Sequence, residues 1–126
     1  MAYSTNSPAG QAVQNIINDL PQMVAVAVVD VQSGMSLASH SNSPALNPET
    51  AAAYNTEVVK QKQKAMTALK LTGETIDDIL ITLTNQIHLI NIIDGGKKFI
   101  YLVVNSRDTN LAIARDVLRQ QVDLFK

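Results

Sequence analysis

The sequence predicts an α+β domain built on a five-stranded antiparallel sheet. Three observations carry that expectation. The apolar periodicity switches between helical and strand spacing in the order helix, two strands, helix, three strands, helix. Short turn signals join the strands within each group, as antiparallel neighbours require. Two runs, 23–31 and 99–104, are apolar almost throughout, the pattern of strands covered on both faces. Cover on both faces places the two terminal helices on one side of the sheet and the long middle helix on the other.

Composition sets the frame. One domain suits 126 residues, with hydrophobic residues at 46% and charged residues at 17%, enough for a core and too apolar for disorder. The net charge of −1 argues against a nucleic-acid partner, which calls for a basic excess. Without cysteine, disulfides and thiolate metal sites are excluded. The N-terminal stretch has no basic segment leading into an apolar run, and no run approaches the ~20 residues of a membrane span. The expected location is the cytoplasm. Residues 1–9 are expected to be a flexible N-terminus and 10–126 a single domain.

Ser7-Pro8 is a helix start, a hydroxyl cap followed by a proline whose missing N–H is harmless at the first helical position. Val13, Ile16, Ile17 and Leu20 share one face of this helix, and Pro21 ends it. Met23 to Val31 is the first strand, Gln32-Ser33-Gly34 a turn, Met35 to Ser39 a weaker returning strand, and His40 to Leu46 a loop. Asn47-Pro48 starts the long helix, predicted to end near Thr72 with Gly73 as its stop.

That helix carries two apolar seams. Ala51, Tyr54, Val58, Ala65 and Leu69 form one; Ala52, Val59 and Met66 form the other, recurring every seven residues about 100° away. One seam covers a sheet, and the other needs a second partner, for which a neighbouring subunit's helix is the natural candidate.

Three strands follow: Ile76–Thr84, Ile87–Asp94 and Lys98–Val104, joined at Asn85-Gln86 and at the two-residue hairpin signal Gly95-Gly96. On the middle strand Ile87, Leu89 and Ile93 point one way, and His88, Ile90 and Ile92 the other. After the elbow Asn105–Asp108, a closing helix runs to Phe125 with Leu111, Ala114, Leu118, Val122 and Phe125 on its buried face.

Two stretches carry a family resemblance. Val24–Asp30 with Ser33-Gly34 gives an apolar strand, an acidic residue and a glycine turn; Phe99–Val104 followed by Asn110–Arg115 gives a last strand and the start of a last helix. With the element order, these resemble the Roadblock family of dynein light-chain type, over about Gly10 to Phe125. The resemblance implies a non-enzymatic homodimer in which the third strands of two subunits pair and the long helices pack together. It further implies a scaffold or regulator acting on a small Ras-like GTPase. The implied dimer interface takes Ala52, Val59 and Met66 from the helix and Ile79, Ile81 and Leu83 from the third strand, which would otherwise be a bare apolar edge. Where many members carry charge across the first hairpin, Ser36 to Pro44 is polar and nearly uncharged here.

Residue by residue, no catalytic set emerges, and no cofactor is expected. His40 and His88 fall on separate elements, and adjacent strand residues Asp77 and Asp78 point to opposite faces, a solvated strand entrance. Neither a phosphate-binding glycine loop nor a nucleophile elbow occurs. Lys60 and Lys64, on the outer side of the long helix, are a candidate docking patch for an acidic partner. The alternative function is a profilin-like sensory domain holding a small ligand, with His88, Asn91 and Tyr101 as its interior polar groups.

Overall fold

The computed structural model describes residues 3–126; Met1 and Ala2, part of the stretch expected to be flexible, lie outside the described residues. Eight main elements follow the expected order: α1 (Pro8–Asp19), β1 (Ala25–Asp30), β2 (Ser36–Ser41), α2 (Pro48–Ala68), β3 (Asp78–Thr82), β4 (Gln86–Ile93), β5 (Lys98–Asn105) and α3 (Leu111–Arg119). The strands form one sheet in the order β2-β1-β5-β4-β3, every neighbour antiparallel. β5 is central, and β2 and β3 are the edges.

Period-two alternation sorts the side chains between two cores. Val26, Val28, Leu89, Ile100, Leu102 and Val104 meet α1 and α3; Ala25, Ala27, Val29, Ile90, Phe99, Tyr101 and Val103 face the side of α2. The register carries the same faces to the edge, with Ile79 opposite Ile90, Ile81 opposite His88 and Leu80 opposite Leu89.

The caps follow the sequence. The Ser7 hydroxyl accepts from the Gly10 N–H at 3.0 Å, and Asn47 Oδ1 accepts from Glu49 and Thr50 at 2.9 and 3.1 Å. Pro8 and Ala9 precede the boundary expected at Gly10, yet they belong to α1, and Ala9 is buried. Tyr3 also reaches the helix, its hydroxyl donating to Gln14 at 2.9 Å. Gly10 lets the chain fold back here, because a Cβ at this position would collide with the Ser4 carbonyl.

Five local expectations need correcting. β2 extends through His40 and Ser41, expected in a loop, because both pair with β1. α2 stops at Ala68 rather than near Thr72: Lys70 takes the left-handed conformation (φ 60°), and the Leu71 and Lys70 N–H groups donate back to Met66 and Thr67. That is a Schellman closure with lysine in the usual glycine position, and it leaves Gly73 without a capping role. The β4–β5 connection spans 94–97 rather than two residues, with Asp94, Gly95 and Gly96 all at positive φ. α3 ends at Arg119, and a separate 3-10 turn (Val122–Phe125) completes the closing segment. The break is anchored by Gln121, which is buried and accepts from the Asn15 amide at 2.9 Å while donating to the Val117 carbonyl. Asp78 is no solvated entrance; it forms a two-pronged ion pair with Arg115 of α3, at 2.7 and 2.9 Å.

Two outcomes follow. Gly10→Ala forces the N-terminal turn off α1 and is expected to cost ~1–3 kcal/mol in urea unfolding; unchanged stability would show that Ser4 does not pack there. Val59 is fully buried, so Val59→Asp strands a carboxylate in the core and should unfold the chain, at a cost of ~3 kcal/mol or more by circular dichroism. A folded Val59→Asp protein would mean that α2 does not lie with this side against the sheet.

Candidate partner interface

α2 is 21 residues long, ~30 Å at the helical rise, whereas the six-residue β1 beneath it spans ~20 Å. The helix therefore outruns the sheet, and Lys64, Ala65 and Thr67 to Leu69 are exposed. Its rotation is set by contacts on both flanks. On one flank Glu49 accepts from the Ser39 hydroxyl of β2 at 3.1 Å, and Lys60 donates to the Gln32 carbonyl at 3.4 Å. On the other, Asn55 lies on the side of Tyr101 of β5. Between them, Ala52, Thr56 and Val59 are buried against the sheet, and Gln63 donates to the Gly96 carbonyl at 3.2 Å.

This rotation reverses the expected roles of the two seams. Ala52 and Val59, expected at a dimer contact, are 0% exposed within one chain, so a second subunit cannot touch them. They cover the sheet. Met66 is half-buried at the overhanging end. The other seam lies on the Asn55 flank by helix periodicity; there Tyr54 is 73% and Leu69 68% exposed, and Val58 is half-buried. That flank looks toward β4 and β3, because α2 packs over β1 and β2.

The α2 side of β4 and β3 is thus left without a helix above it. Ile79 and Ile81 are half-buried there, Leu83 is 48% exposed, and Ile92 is half-buried. An exposed apolar trough results, with the Tyr54–Leu69 seam as its wall, β4 and β3 as its floor, and the unpaired edge of β3 as its rim. Of the six residues expected at a dimer contact, Ile79, Ile81 and Leu83 line this trough, Met66 sits at its end, and Ala52 and Val59 lie beneath the wall. The seam that does face it was visible in the sequence; the direction it would point was not.

A polar island interrupts the floor. His88 Nδ1 and the Tyr101 hydroxyl are 2.9 Å apart, His88 Nε2 and Gln86 Oε1 are also 2.9 Å apart, and the two rings meet edge-on at 5.7 Å. Burial holds the His88 imidazole below its ordinary range. Burial also pushes the Tyr101 phenol up, an effect that Asn55 partly offsets. Asn91, the third interior polar candidate, points to the opposite face, opposite Asp78. The apolar cleft of about 460 Å³ lined by Pro8, Ala9, Leu37, Leu124 and Phe125 contains none of these three residues.

The basic patch is divided. Lys64 is exposed, but Lys60 is half-buried and turned to the β1–β2 turn, where it and Lys98 help hold the Asp30 carboxyl below its usual range, behind the hydrogen bonds from Ser33. Among the described residues, no group of three His, Asp or Glu side chains is placed to hold a metal ion, and no helix is long and apolar enough to cross a membrane.

No family model and no curated protein matches the chain. Solved structures do. MglB of Myxococcus xanthus superimposes with a TM-score of 0.74 at 18% identity, over 93% of this chain and 84% of that one. A Roadblock/LC7 domain from Streptomyces avermitilis gives 0.73 at 12% identity, over 90% of each chain. The gliding protein MglB from Thermus thermophilus gives 0.72 at 17% identity, over 98% and 92%. With its helix-flanked sheet in the order β2-β1-β5-β4-β3 and a likeness that spans nearly all of the chain, this protein has the Roadblock fold.

Proposed function

We propose that this protein is a non-catalytic, cytoplasmic homodimer that scaffolds or regulates a small Ras-like GTPase. The observation that carries the assembly is the trough. An unguarded β3 edge, half-buried isoleucines and an exposed Tyr54–Leu69 seam lie together on one side of one chain. A second copy related by a two-fold axis would pair β3 with β3 and lay each α2 over the other's open floor, covering all three at once. Similarity to a structure described as MglB with a tetrameric arrangement, at 17% identity and a TM-score of 0.73, supports self-association as a habit of this fold. The GTPase reading rests on the Roadblock resemblance and on surface presentation by a rigid sheet, the dimer doubling the valency of whatever epitope it holds. Lys64, exposed on the overhang of α2, is the basic group offered to an acidic partner surface.

Sedimentation at micromolar concentration tests the assembly. The wild-type chain is expected to run as a dimer, and Ile81→Asp or Leu69→Asp as a folded monomer, since a charge buried in the contact loses at least about tenfold in affinity. A wild-type monomer would sink the dimer. For the partner, affinity capture from the native host should retain a Ras-like GTPase in at least one nucleotide state, with Lys64→Glu weakening retention about fivefold or more. Capture that holds no GTPase in either state removes that half of the reading.

A further inference from the structure

We infer that the Gln86–His88–Tyr101 network on the floor of the trough makes self-association sensitive to pH, with His88 as the titrating group. This rests on the homodimer reading above. His88 stands where a charge would meet the second subunit in the middle of an apolar contact. Ile81 of the rim strand lies directly opposite it and Val103 of β5 beside it. The Tyr101 ring closes one edge, and both imidazole nitrogens lie within hydrogen-bond distance of a partner in the chain. It is half-buried in the single chain, so a helix laid over the trough takes away its remaining contact with water.

Within one chain the surroundings hold nothing to stabilise an imidazolium. β3 contributes Ile81, β5 contributes Val103 and the Tyr101 phenol, β4 contributes Gln86, and α2 contributes Asn55. Lys62 follows Asn55 on the same flank of α2 by helix periodicity, a like charge rather than a counter-charge. The depression of the His88 pKa from 6.5 has burial as its cause, with no carboxylate acting on it. Protonation leaves the polar contacts feasible, since the Tyr101 hydroxyl can accept from Nδ1 and Gln86 Oε1 from Nε2; what it costs is the burial of an unpaired charge.

The sign of the effect follows. Further burial in the dimer lowers the His88 pKa beyond its value in the free subunit, so the free subunit binds protons more readily. The stabilisation is complete above the unperturbed range near 6.5 and is lost as the pH falls through the window between the free-subunit and dimer values. Two symmetry-related imidazoles act together, so the dissociation constant rises by up to ~100-fold per pH unit within that window. His40 offers no such lever, lying on the hairpin beside Asn42, away from the trough.

The test is the dimer dissociation constant from sedimentation between about pH 7.5 and 5.0, a range extended downward for the lowered free-subunit value, with circular dichroism showing that the chain stays folded. The wild type and His40→Gln are expected to weaken by at least about tenfold across that range, and His88→Gln to vary by less than about twofold. As a second measurement, the His88 imidazole titration followed by NMR should sit lower in the wild-type dimer than in the Leu69→Asp monomer, whose new carboxylate lies on the overhang of α2 rather than opposite His88. A wild-type dimer whose affinity is flat with pH, or a slope that His88→Gln retains, overturns the switch and leaves the dimer standing. A wild type that is monomeric at the upper end of that pH range overturns the dimer, and the switch with it.

Discussion

The rotation of α2 about its own axis is the constraint on which the rest of the surface depends. Glu49 to Ser39, Lys60 to the Gln32 carbonyl and Gln63 to the Gly96 carbonyl, with Asn55 beside Tyr101 on the far flank, hold it over the β2–β1–β5 half of the sheet. Each contact alone is worth little, since a partly exposed hydrogen bond contributes ~1 kcal/mol. Together they bracket the helix from both flanks and commit Ala52, Thr56 and Val59 to the core. Once that is fixed, a helix about 10 Å longer than the strands beneath it must overhang, and one of its apolar seams must look out over β4 and β3.

The two faces of the sheet are therefore unlike. On one, α1 and α3 close over the core, joined to each other by Asn15 and Gln121 and to the edge strand by Arg115 and Asp78. Buried side-chain polar atoms among the described residues have partners throughout. The Arg115–Asp78 pair has a particular consequence: it ties β3, the strand with the fewest neighbours, to a helix and keeps its register on the face where Leu80 meets Leu89. The other face is closed only over half its width. A rigid edge beside an open apolar floor is what association by strand pairing requires, because a mobile edge would lose conformational entropy on binding.

Chemistry in this molecule is sparse, and its distribution is informative. Its charged groups pair with one another, as in Asp94 with Lys98 at 2.6 Å and Asp78 with Arg115 at 2.7 Å, bond to neutral groups as Glu49 and Lys60 do, or stand in solvent. The trough holds instead a neutral chain of side chains around an imidazole. Such a group adds no attraction to an apolar contact. In the proposed dimer it would give the contact a preferred protonation state, and so link assembly to the solution around it.

Much of this was legible in the sequence. Ser7-Pro8 and Asn47-Pro48 marked helix starts, the two continuous apolar runs marked β1 and β5, and strict alternation put Ile79 and Ile81 on one face and His88 with Ile90 and Ile92 on one face. These are local properties, fixed by the two-residue period of a strand and by the hydrogen bonds of a cap. What the tertiary structure decided were the choices on which local patterns are silent. Two seams about 100° apart have equal claim on a sheet, and the contacts of Glu49, Lys60 and Gln63 go with the one that includes Ala52 and Val59. Gly73 is a better helix stop than Lys70 by propensity, yet the chain turned at Lys70, in a conformation that lysine rarely adopts. An apolar arc from Leu111 to Phe125 reads as one helix, but the hydrogen bond from Asn15 to Gln121, more than a hundred residues apart, accompanies its break. Periodicity names the faces an element possesses; which face is buried is an energy shared with residues far away in the chain, and it becomes definite only when those residues are in place.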